Sequence, residues 1–316
     1  MAYLNPQEKL LIGLIFYSPA IIAFVFGTVI GSLSNVMIFR MVYYKSIWSP
    51  PSHCTSCGAE IPGYLNIPLV SYLALRGRCR SCGARFTSRY FWVELASGLM
   101  YAIVVLWIYT LPPPQGFGLT MREVLNFSAS QTPLLGFPSN PAGIALIFKG
   151  WVFATLLLVL SMVDLEHRLL PDRLTLPGIA LGLLLSFAAP LSRPEIASLG
   201  RSGLTDAFLQ SFLGMIVGGG ILLVIMLIYP PGMMFGDVKL LAMIGSFVGI
   251  TALAPSVFLG FVAGGAVGGL VMLISKNYVP MKTYIPFGPF LALGGFVGFL
   301  WGSQIWTWYM RLVANR

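Results

Sequence analysis

Residues 150–164 read GWVFATLLLVLSMVD, a run that meets no charge until Asp164. Its apolar positions are continuous. A strand with one wet face alternates apolar and polar residues, and the strands of membrane barrels do the same. The run therefore predicts a helix, and with the residues before it the stretch reaches from about 142 to 164, enough to cross a hydrocarbon layer of about 30 Å. Similar runs lie at about 11–41, 91–111, 173–190, 204–229, 237–251, 252–275 and 285–310. The sixth span is short and its neighbour begins almost at once, so the two can tilt or form a tight helical hairpin, and a count of seven stays open beside eight.

Composition agrees. Of 316 residues, 57% are hydrophobic and only 9% charged, against about 25% charged in an ordinary soluble domain. A mean hydropathy of +0.84 excludes a single soluble core. The expectation is an all-α polytopic membrane protein of about eight transmembrane helices. The first run extends to about Met41 with no A-x-A-like site behind a short core, so it reads as a retained span and not a cleavable signal peptide.

The 19 Lys and Arg against 10 Asp and Glu leave a net charge of +9. In a soluble protein that would raise nucleic acid as a partner; here topology accounts for it. With the N-terminus outside, twelve Lys and Arg fall inside and seven outside, as the positive-inside rule requires. The loop of residues 43–90 is then cytoplasmic. Pro112, Pro113 and Pro114 end the second span and open an external stretch of residues 112–141. Gly218 to Gly220, and Gly264, Gly265, Gly268 and Gly269, are read as packing positions where helix backbones approach closely.

All four cysteines lie in the 43–90 loop as two knuckles, Cys54-Thr-Ser-Cys57-Gly58 and Cys79-Arg-Ser-Cys82-Gly83, with 21 residues between the pairs. Repeated C-x2-C pairs at this spacing signal a tetrahedral zinc site with Cys54, Cys57, Cys79 and Cys82 as ligands. The glycine after each second cysteine lets the backbone turn so that amides approach the thiolates. Two disulfides are the competing reading, disfavoured on the reducing cytoplasmic side. Four thiolates complete the shell, which makes the metal structural and His53 a solvated loop residue.

The ten acidic residues matter by their placement. Asp164 closes the third span in MVDLEHRLLPD (162–172) and Asp237 opens the sixth in FGDVK (235–239). An ionisable group near a helix centre costs roughly 2.5–3.5 kcal/mol on insertion scales, so one at a span's edge needs water or a partner. Both lie at cytoplasmic span ends, where they can face each other. Two close carboxylates share a proton, one acting as base toward water and the other as acid toward substrate, which is aspartyl protease chemistry. The competing reading is that each merely caps a helix or reaches the interface. Asp172, after Pro171, reads as the N-cap of the fourth span, and on a continuing helix His167 lies nearer the Asp164 face than Glu166 does. No H-E-x-x-H or G-x-S-x-G is present.

Together these residues resemble the bacterial prepilin peptidases, the type IV leader peptidases that serve type IV pili and type II secretion, over nearly the whole chain. GSLSN (31–35) through Arg40 is similar to their first-span motif. NIPL (66–69) and RGRC (76–79) lie between and beside the knuckles as in that family, and SRYFWVE (88–94) is similar to the start of its second span. Asp164 to Asp172 resembles the first catalytic motif, GDVKL (236–240) the second, and IPFGPFLALGG (285–295) the last-span motif. Departures are Met234 where G-x-G-D has its first glycine, Leu33 and Ser34 within G-S-F-L-N, and Phe91 where proline is common.

The resemblance implies a multi-pass enzyme of the bacterial inner membrane with both activities facing the cytoplasm. A six-span peptidase domain (142–316) would use Asp164 and Asp237 to cut basic leaders from prepilins or pseudopilins. Residues 1–111 would N-methylate the new terminus with S-adenosylmethionine. Its binding residues would be Glu94, Asn35 and Arg40, with an ion pair between Glu94 and a loop arginine such as Arg89 as the competing reading for that carboxylate. Partners are then pilin precursors and the lipid bilayer, not nucleic acid. Two other classes stand as alternatives: a proton-coupled transporter, which would set its aspartates near the midplane, and a zinc-loop adaptor, in which Asp164 and Asp237 need not approach.

Overall fold

The computed structural model describes residues 6–43, 46, 51–109, 141–188, 203–228, 234–274 and 286–314. The external stretch expected at 112–141 lies outside them but for its last residue. The helices are α1 (Pro6–Val42), α2 (Val70–Ala74), α3 (Arg89–Tyr109), α4 (Pro141–His167), α5 (Asp172–Ala188), α6 (Gly203–Ile228), α7 (Phe235–Ile274) and α8 (Gly288–Ala314), with one 3-10 turn at Gly63–Leu65. Among the described residues there is no strand, only the isolated bridges His53–Glu60 and Arg78–Arg85.

Six of these helices (α1, α3, α4, α6, α7 and α8) are long and apolar enough to cross a membrane. α5, at 17 residues, is slightly shorter, and α7 is two rods, because Gly249 (φ 75°, ψ 168°) interrupts it with a backbone that only glycine adopts readily. That makes eight rods, as the hydropathy pattern predicted. The first rod of α7 spans about 21 Å at 1.5 Å per residue, short of a full crossing. The chain forms two compact units, Met1–Thr155 and Leu156–Arg316, which divide inside α4.

In the first unit, α1 and α3 touch through glycines. A Cβ on Gly31 would lie 2.7 Å from Glu94 Cα, and one on Gly98 would lie 2.7 Å from a Thr28 methyl. With no hydrophobic force between helices in lipid, such close backbone contact holds them through dispersion. Trp151 of α4 stacks on Tyr101 of α3 (centroids 4.9 Å, 11° between planes) and donates its indole N–H to Tyr101 O at 3.2 Å.

In the second unit the first rod of α7 is central, with Leu240, Leu241, Met243, Ile244 and Phe247 fully buried. α6 crosses it with Gly214 directly against Gly245, a pairing not evident from sequence. The expected glycine packing is present at Gly218 (2.8 Å from Leu241 O), Gly219 and Gly264, whereas Gly220, Gly265, Gly268 and Gly269 have nothing among the described residues within 4 Å of their Cβ positions.

Candidate active site and metal centre

α4 ends one turn after Asp164. Arg168 takes a left-handed conformation (φ 54°) and its N–H returns to Asp164 O at 2.9 Å, a backbone closure that terminates the helix. The Asp164 side chain accepts the Gly288 N–H at 2.9 Å, from the first residue of α8. A helix N-terminus presents unpaired amides and a positive dipole end, both of which favour a carboxylate. Gly288 is a site residue that sequence reasoning passed over. Nothing in IPFGPF by itself shows it; in three dimensions a Cβ there would stand 2.5 Å from Asp164 Oδ2.

Asp237 is the third residue of α7. Its N–H donates to the Met234 carbonyl at 3.0 Å, and its carboxylate accepts the Met234 N–H at 3.2 Å, the side-chain half of a capping box. It therefore does cap its helix, but it does so while lying in the field of the Asp164 carboxylate. Both aspartates are buried, 5% and 3% exposed. Gly236 lets the chain between α4 and α5 come close, since a Cβ on it would lie 2.9 Å from Leu170 Cβ. Two buried carboxylates, each anchored by one backbone amide, thus lie near enough to feel each other's charge, and carboxylates are groups that can exchange protons with water.

Asp172 departs from expectation. It lies in the first turn of α5 and is not the residue ahead of it, and its carboxylate pairs with Lys239 at 2.5 Å. A cation one turn into α7 outcompeted the local cap. Lys239 also lies 4.7 Å from the centre of the Phe235 ring. Glu166 and His167 approach each other at 3.9 Å on the partly exposed end of α4.

The knuckles are built alike. Cys54 N–H donates to Ala59 O and Cys79 N–H to Ala84 O, both at 2.8 Å. Gly58 N–H donates to Cys54 O and Gly83 N–H to Cys79 O, both at 2.9 Å. Gly58 and Gly83 turn at φ 71° and 72°. The four sulfurs lie within 4.8 Å of one another, and Cys54 Sγ is 3.9 Å from Cys82 Sγ. A tetrahedron with arms of about 2.3 Å sets sulfurs about 3.8 Å apart, so the donor set fits zinc. The amides of Cys57 and Ser56 hold the Cys54 thiol down to about 6. At Cys82 the Ala84 amide favours thiolate, but the neighbouring thiols, Cys57 foremost, and burial push it up to about 11. Four thiolates this close need a cation among them. His53 stays outside the cluster, its Nδ1 3.1 Å from Pro51 O.

Asn35 and Arg40 of α1 and the distant Glu94 of α3 line one cavity of about 640 Å³ walled by α1, the cysteine loop and the start of α3. Glu94 accepts the Leu69 N–H at 2.8 Å and a bond from the Ser32 hydroxyl, partners the sequence did not indicate. Leu69 sits at φ 60°, in a γ-turn closed by Val70 N–H to Pro68 O at 2.6 Å. This is a strained backbone for a residue with a side chain, and the Glu94 bond helps hold it.

The profile of the bacterial peptidase A24 N-terminal domain matches residues 25–108, which include the cysteine loop and the cavity. That of the type IV leader peptidase family matches residues 151–269, which include both aspartates. A protein of Pseudomonas putida named prepilin leader peptidase/N-methyltransferase is 31% identical over 316 residues, covering 93% of this chain and 94% of its own. One of the same name from Aeromonas salmonicida is 32% identical over 318 residues, covering 92% and 94%. Another, from Pseudomonas aeruginosa, is 35% identical over 268 residues, covering 84% and 77%. No solved structure matches the chain. With relatives above 30% identity along almost its full length, and the family profile spanning its two buried aspartates, the chain belongs to the type IV leader peptidase family.

Proposed function

We propose that this protein cuts the basic leader from type IV prepilins and pseudopilins at the cytoplasmic face of the bacterial inner membrane and then N-methylates the exposed terminus, in the service of pilus assembly or type II secretion. The observation that carries the peptidase half is the pair Asp164 and Asp237, brought from two helices into each other's field inside a polytopic membrane protein. A transporter or a zinc-loop adaptor does not call for that approach.

In the cleavage step one aspartate accepts a proton from a water held between them, and the water oxygen attacks the scissile carbonyl. The other aspartate gives its proton to the departing amine, and the two return to their starting charge together. Gly288 N–H keeps the Asp164 carboxylate in place through this exchange. Leaders are basic and the pilin helix is apolar, so the scissile bond lies at the interface, where the ends of α4 and α7 carry these residues.

The methyl-transfer half comprises residues 1–111, and the peptidase domain residues 142–316. The cavity of the first unit falls within the 300–1,000 Å³ typical of small-ligand sites and contains both a buried carboxylate and a buried amide oxygen with no partner among the described residues. Those features fit S-adenosylmethionine, whose sulfonium and amine are cationic, with Glu94, Asn35 and Arg40 shaping its pocket. When bound it supplies an electrophilic methyl group. Zinc on Cys54, Cys57, Cys79 and Cys82 is structural, supporting the loop that forms one wall of that pocket.

The test is to incubate the purified full-length protein with a prepilin peptide, with and without S-adenosylmethionine, and weigh the products. The expected outcome is loss of the leader in both cases and gain of one methyl group only with the donor. An uncut peptide would overturn the peptidase reading, and a cut but never methylated one the methyltransferase reading.

A further inference from the structure

The cavity of the first unit contains an acceptor whose amide is already oriented. Asn35 is 3% exposed and lines the cavity. Its Nδ2 donates to Tyr90 O at 3.2 Å, which settles which end of the amide is which and leaves Oδ1 buried with no hydrogen-bond partner among the described residues. Such atoms are few in folded proteins and each asks for an explanation. Glu94 shares the cavity wall, held by the Leu69 amide and the Ser32 hydroxyl, so a fixed negative charge accompanies the open acceptor.

The two ends of the cavity differ. Asn35 lies about two turns from the end of α1 and Glu94 in the second turn of α3, both buried within the spans. On the loop side Arg80 and Arg85 are exposed. A polar donor molecule suits the loop side, where water and arginines lie. The end within the spans suits a group at the tip of an apolar helix in the bilayer. Oδ1 calls for an N–H, which an α-amine has and a sulfonium lacks; the donor and the acceptor both carry an α-amine, and the position of Asn35 within the spans favours the acceptor's.

We propose that Asn35 Oδ1, beside the Glu94 carboxylate, receives the methyl-accepting α-amine of the cleaved chain. This rests on the reading of the cavity as the methyl-transfer site. An α-amine titrates near 7.7–8.0, so a neutral fraction is present at cellular pH. With one N–H given to Oδ1 the lone pair is aimed into the cavity. It forms the new N–C bond as the C–S bond breaks and sulfur keeps the electron pair; the resulting ammonium releases its proton to water.

The test uses the full-length, zinc-loaded protein in nanodiscs and two synthetic apolar helical peptides that begin with Phe, one with a free α-amine and one acetylated. Wild type binds the free amine at least about tenfold more tightly, the order expected for a hydrogen bond to a charged group. Asn35→Leu erases that preference, with the affinity for S-adenosylmethionine titrated separately. Zinc content checks that the variant is folded. Equal binding of the two peptides by wild type overturns the proposal without needing any variant. So does a tenfold loss of S-adenosylmethionine affinity in Asn35→Leu with the amine preference intact, which would place the donor at that end. Ala59→Trp, which fills the cavity from the loop, separates the two levels: unchanged S-adenosylmethionine binding there defeats the methyl-transfer reading itself.

Discussion

Gly288→Ala puts a methyl group where Asp164 now reaches. The new Cβ would stand 2.5 Å from Oδ2, 3.1 Å from Cγ and 3.3 Å from Cβ of Asp164. The carboxylate must retreat by about 0.9 Å to reach ordinary contact, which stretches its 2.9 Å bond to the residue 288 amide well past the limit of about 3.2 Å. A misplacement of about 1 Å in a catalytic group costs on the order of 100-fold in rate. Loss of a hydrogen bond to a charged group, about 1.5–3 kcal/mol, gives a similar factor. The expected result is leader cleavage slowed by about 30- to 100-fold in kcat with KM little changed, since the added methyl displaces the reacting carboxylate and its three nearest neighbours are all Asp164 atoms. The assay is cleavage of a prepilin peptide by purified protein, with Gly220→Ala as a neutral control because its Cβ position has nothing among the described residues within 4 Å. A Gly288→Ala enzyme that cuts within threefold of wild type would refute the claim that this amide positions the working carboxylate.

Asp164→Asn and Asp237→Asn, nearly isosteric, each lower cleavage by at least about 1,000-fold, since an amide can neither accept nor return the proton, while Glu166→Gln stays within about fivefold; timed peptide cleavage decides. Elemental analysis finds one zinc per chain, and Cys54→Ser lowers both metal content and the melting temperature, because thiolate ligation supplies folding energy to a loop with little core of its own. Glu94→Gln lowers methylation at least about tenfold more than it lowers cleavage, as read by mass spectrometry of the product; equal losses would point to a fold defect. Gly245→Ala drives a methyl into the Gly214 backbone and costs about 1–3 kcal/mol, seen as a lower melting temperature.

The spans, the zinc knuckles and the two aspartates were legible in the linear chain because each depends on local chemistry. A continuous apolar run of about twenty residues has few fates besides crossing a bilayer. Two C-x2-C-G units carry their own turns, hydrogen bonds and ligands within six residues each, so the repeat announces the site. A charge in so apolar a chain stands out at Asp164 and Asp237 because the surroundings make it costly. The break at Gly249 was half legible, as a short span beside its neighbour, but a glycine in an apolar run looks the same whether it kinks, packs or faces lipid.

Only the tertiary structure decided which partners those residues take. Hydrogen bonds across more than a hundred residues leave no local pattern, so the Gly288 amide on Asp164 could not be read from the last-span motif. Asp172 chose Lys239, 67 positions away, over the helix start beside it, because a full charge attracts a carboxylate more strongly than a neighbouring amide does. Glu94 found the strained Leu69 peptide, since burial at the helix contact leaves few donors in reach. Sequence alone determined where apolar and ionisable groups lie along the chain, which sets the class of fold and the stock of chemistry. Which of those groups meet depends on how the helices pack, and in lipid that rests on close backbone contact at particular glycines, a property of shape in three dimensions and not of any single segment.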